Sequence, residues 1–60
     1  MTLREFGSYI SEHMSIMVIN QYGLLVAVYD GRNSIPDDIL DRKVRMVTSA
    51  QINTIWIEVL

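Results

Sequence analysis

The stretch from Ser15 to Tyr29 constrains the fold more than any other part of the sequence. Ser15-Ile16-Met17-Val18-Ile19-Asn20 and Leu24-Leu25-Val26-Ala27-Val28-Tyr29 are joined by Gln21-Tyr22-Gly23, the pattern of a β-hairpin. A strand with one wet face alternates apolar and polar residues, yet Leu24 to Tyr29 is apolar at every position. Such a hairpin needs cover on both faces. Asp30-Gly31-Arg32-Asn33 marks its end as a turn.

Cover is in short supply. The chain has 60 residues, half of them apolar, and no cysteine. That length allows a single domain spanning residues 1–60, which buries only about 60% of the surface its unfolded form exposes. Without cysteine, disulfides, iron–sulfur clusters and thiolate zinc sites are excluded as stabilisers. Oligomerisation is the means that remains, and a two-fold homodimer is the expected form.

The other elements follow from caps and periodicity. Thr2-Leu3-Arg4-Glu5 fits a capping box, and Leu3, Phe6 and Ile10 recur at helical spacing, so a helix is predicted from Leu3 to about Ser11. In Ser34-Ile35-Pro36-Asp37-Asp38-Ile39-Leu40-Asp41, Ser34 is the candidate N-cap and Pro36 falls in the first turn. The acids meet the positive end of the helix dipole, and about two turns fit before Arg42. Val44, Met46 and Thr48 alternate with Lys43, Arg45 and Val47 as a half-exposed strand. Ser49-Ala50-Gln51-Ile52-Asn53 is a loop of hairpin length, and Thr54 to Leu60 forms the last strand. The fold class is α+β in the order α-β-β-α-β-β: a four-stranded, mainly antiparallel sheet with two short helices, self-associating.

Motifs for chemistry are sparse. Asp37-Asp38-Ile39-Leu40-Asp41 matches the D-D-x-x-D string that carries magnesium in isoprenoid synthases, but those enzymes need a large helical cavity. Acids at a helix start are explained by the macrodipole. His13, the only histidine, has no positioned nucleophile in view, and no Walker, Rossmann, zinc or EF-hand spacing occurs. A non-enzyme without cofactor or metal is expected. The formal charge of −2 disfavours nucleic-acid binding, with Arg42, Lys43 and Arg45 the only basic cluster. No charged leader precedes an apolar core, and the longest apolar run, Leu24 to Tyr29, falls far short of the roughly twenty residues that span a bilayer. A soluble protein in the cytoplasm of a bacterial host is expected, with no membrane partner.

The aromatic and methionine residues carry more information. On the last strand Ile55, Ile57 and Val59 share one face, while Thr54, Trp56, Glu58 and Leu60 share the other. A tryptophan on that second face is either covered by a helix or presented to a partner. Trp, Tyr and Met are enriched at the centres of interfaces, and Met17, Tyr22, Tyr29 and Met46 extend the patch. The candidate interface is Met17, Tyr22, Tyr29, Met46, Trp56, Glu58 and Leu60.

From Leu25-Val26-Ala27-Val28-Tyr29-Asp30-Gly31 through Asn33-Ser34-Ile35-Pro36 to Leu40-Asp41-Arg42-Lys43-Val44, the chain resembles short proteins of bacteriophages and prophages of Gram-positive bacteria. The shared features are a strand ending in Tyr-Asp-Gly, a Ser-Ile-capped acidic turn and a closing hairpin, over about two-thirds of the chain. The resemblance implies a phage origin, and small acidic phage proteins often inhibit bacterial immunity, such as CRISPR or Hachiman systems. The leading expectation is a non-enzymatic homodimer that blocks a host defence protein by direct contact. The alternatives are a nucleic-acid-binding regulator using Arg42, Lys43 and Arg45, and a sponge that sequesters a nucleotide through Arg32, Arg45 and Tyr29.

Overall fold

The structure, a computed structural model, describes residues 1–10, 13–30 and 35–60. Six elements follow one another: α1 (Leu3–Gly7), β1 (Ser15–Ile19), β2 (Leu25–Tyr29), α2 (Asp37–Leu40), β3 (Val44–Ala50) and β4 (Thr54–Val59). The strands form one sheet in the order β2-β1-β4-β3. Each outer pair is an antiparallel hairpin, and the two hairpins are joined at the centre by parallel β1 and β4. The fold is thus α+β, with two short helices and a four-stranded mixed sheet.

Local chemistry explains the elements. The capping box at α1 is formed: the Glu5 N–H donates to Thr2 Oγ1 and the Thr2 N–H donates to Glu5 Oε1, both at 3.2 Å. The helix stops at Gly7, short of the expected Ser11, which lies outside the described residues. Tyr9 and Ile10 donate three residues back, to the Phe6 and Gly7 carbonyls, so the chain leaves α1 in tight turns. In the β1–β2 turn, Asn20 Oδ1 accepts from the Tyr22 and Leu24 amides at 2.9 and 3.0 Å, and Gly23 takes a φ of +79°.

Two corrections concern α2 and β3. The second helix is a single turn, because Pro36 adopts an extended conformation (φ −56°, ψ 146°) at the N-cap position rather than lying in the first turn. The expected cap, Ser34, is outside the described residues. Strand β3 runs on to Ala50, through residues expected to form a loop, and it carries two register shifts against β4. Val44 pairs with Val59 while Met46 pairs with Glu58, so Arg45 is an extra residue; Thr48 is the second. Each inserted residue moves the strand half a period. Val44, Met46 and Thr48 therefore do not share a face.

The core lies on one side of the sheet only. Ile16 and Val18 of β1 pair with Ile55 and Ile57 of β4, and with Val59 they meet Leu3, Ile35 and Ile39 from the helical side. Val18, Ile57 and Val59 are fully buried. The helical layer is tied down at one corner, where the Leu3 N–H donates to the Arg42 carbonyl at 2.9 Å and Thr2 bridges to Lys43. Arg4 of α1 also reaches both Asp37 and Asp41, 3.3 Å from a carboxylate oxygen of each.

Candidate functional site: the helix-free face of the sheet

With both helices packed over Ile16, Val18, Ile57 and Val59, the alternate residues of the central strands face the other way. Register fixes which residues share this second face. Met17 pairs with Val28 on one side and Trp56 on the other, and Trp56 pairs with Ser49. One step along the strands, Ile19 lies between Leu25 and Glu58, and Glu58 pairs with Met46. Met17 and Trp56 are the midpoints of the two central strands. No helix among the described residues covers this face.

Its centre is apolar and half-buried, with Met17, Ile19, Val28 and Trp56 all intermediate in exposure. Towards the edges Leu25 is 52% exposed and Met46 48%. The rim beyond the strand ends adds exposed Tyr22 and Leu24 from the β1–β2 turn, and Leu60 after β4, whose N–H donates to the Lys43 carbonyl at 3.0 Å.

One charged pair interrupts the patch. Glu58 is only 8% exposed and makes a hydrogen-bonded ion pair with Arg45. The bulge in β3 explains the contact: the extra residue places Arg45 beside Met46, both opposite Glu58. Close pairing compensates the loss of hydration that burial imposes on the carboxylate.

The structure brings together most of the residues singled out in the sequence. Met17, Met46, Trp56 and Glu58 share the face, and Tyr22 and Leu60 stand at its rim. Tyr29 is separated from them: it pairs with Ile16 and packs against the core on the helical side. Glu58 is buried and paired with Arg45. Sequence reasoning passed over Ile19, Leu25 and Val28 as members of the face. Their signal was the unbroken apolar run itself, but a register shift at Val18/Ile19 puts Leu25 and Val28, three residues apart, on one face.

Other candidate chemistry finds ordinary partners. Of the acids of the D-D-x-x-D string, Asp37 and Asp41 bind Arg4. Arg45, one of three basic candidates for nucleic acid, is neutralised by Glu58. Arg32 lies outside the described residues. Among the described residues no three His, Cys, Asp or Glu side chains gather as a metal set would, and no helix is long and apolar enough to cross a membrane. The chain matches no protein-family model, no curated protein and no solved structure.

Proposed function

We propose that the chain is a non-enzymatic binding protein of the bacterial cytoplasm and that the helix-free sheet face is its docking surface for another protein. The observation that carries this is the position of Trp56 beside Met17 at the centre of an apolar face that no helix among the described residues covers. Binding energy concentrates in such central aromatic residues, surrounded by contacts that exclude water. The same face is where the self-association expected from composition would act. The target class, a host defence protein of the CRISPR or Hachiman type, is supported by the phage-like string from Leu25 to Val44.

The test is a plating assay in bacteria that carry such a defence system. Expressing the chain is expected to raise phage plating, and Trp56→Glu is expected to abolish the gain. No gain from the wild-type chain overturns the target class. A gain that survives Trp56→Glu, with the variant folded by circular dichroism, overturns the site.

A further inference from the structure

The docking surface has a composition that suits one occupant in particular, and we infer that this occupant is a second copy of the chain, packed sheet against sheet across a two-fold axis near Met17 and Trp56. The inference rests on the docking role proposed for this face.

Charge is the first support. An isologous contact brings each residue close to its own equivalent, so an unpaired charge on the face would meet its like. The face avoids this: Met17, Ile19, Val28 and Trp56 are uncharged, and Glu58 is neutralised within the same copy by Arg45. A foreign partner selected by charge would instead need an unpaired group on the face to read.

Area is the second. Four strands about 4.8 Å apart and some six residues long at about 3.3 Å each make a face of roughly 400 Å². Exposed Tyr22, Leu24 and Leu60 enlarge it at the rim. Two such faces together approach the roughly 1,000 Å² at which specific interfaces begin. This places the contact among small, reversible interfaces. The geometry is that of a β-sandwich, whose two sheets pack about 10 Å apart with interdigitated side chains.

The third support is the one-sided core. All seven buried apolar residues among the described residues lie on or beneath the helical side, so the tryptophan and two methionines opposite stay only partly buried until something covers them. A second copy is always present at the chain's own concentration.

Trp56 is the only tryptophan, so its fluorescence reports the face directly. Diluting the purified chain from high to low micromolar is expected to halve the mass by light scattering and shift the emission to the red over the same range. Met46→Glu, at a half-exposed position on this face, is expected to weaken the dimer at least tenfold, and Trp56→Ala more, in variants that circular dichroism shows to be folded. Tyr9→Glu, at an exposed site outside this face, is expected to leave it unchanged. A wild-type chain that stays monomeric throughout, or a dimer indifferent to Met46→Glu and Trp56→Ala, overturns the inference. A strictly monomeric chain whose effect on plating is still lost with Trp56→Glu removes the second copy but leaves the docking role standing.

Discussion

Glu58 is the one charged residue buried among the described residues, and its partner Arg45 is mostly exposed. Removing the arginine strands the carboxylate, so Arg45→Ala is expected to cost about 1–3 kcal/mol in urea unfolding. Adding Glu58→Gln to that variant is expected to restore part of the loss, because the neutral amide needs no counter-charge. A double variant no more stable than Arg45→Ala would mean that Arg45 acts by packing instead. Glu5 at the start of α1 couples its ionisation to folding. Its hydrogen bonds from the Thr2 backbone and hydroxyl hold its carboxyl below the usual glutamate range. A depressed folded pKa gives stability that is fully present above the unfolded value and lost as pH falls through the folded one. Glu5→Gln is therefore expected to flatten the acid side of the stability profile, measured by thermal melts below the ordinary glutamate pKa. At this scale the sequence was informative wherever the partner is local. Thr2 and Glu5 are three residues apart and were legible. Arg45 and Glu58, thirteen apart, meet only because of a bulge.

At the scale of elements, the Thr2–Glu5 capping box and the Asn20–Gly23 turn carried across from sequence to structure, and strand phase did not. The β1–β2 turn needs a positive φ at Gly23, and nothing lies within 4 Å of where a Cβ would sit. Gly23→Ala is thus expected to cost about 1 kcal/mol through backbone strain alone, read as a lowered unfolding midpoint, with no steric clash to add to it. The three register shifts, one in β2 against β1 and two in β3 against β4, have no signature in an apolar–polar pattern, since an inserted residue changes phase without changing composition. This is why the alternation of Val44, Met46 and Thr48 does not mark one face, while residue type alone does not tell that Tyr29 lies opposite Ile16, away from Trp56. The parallel contact between β1 and β4 was equally hidden, because pairing between distant strands depends on which one the helical layer leaves room for. Ile57 at the heart of that contact is fully buried. Ile57→Val is expected to cost about 1 kcal/mol, by the methylene removed and the cavity left.

Taken whole, the molecule is a two-layer arrangement with one dry side. The sequence foresaw this imbalance from Leu24 to Tyr29 and from Trp56, though it left open which face the helices would take. Both take the Ile57 side. If a copy and a foreign target use the same face, they compete for it. Capture of target per chain is then expected to fall once the protein concentration passes the dimer constant, measurable by titrating the chain against immobilised target.

The centre of the sheet joins the second element of the chain to the sixth. During synthesis the first hairpin leaves the ribosome without its parallel neighbour, and β4 is the last of the six elements to be made. The central contact, which pairs Ser15–Ile19 with residues 54–58, cannot be complete until Glu58 has been made. The non-local β1–β4 contact is therefore slower to form than either antiparallel hairpin, whose strands are neighbours in sequence. Until then Ile16 and Val18, like Met17 and Ile19, lack the strand that flanks them in the finished sheet.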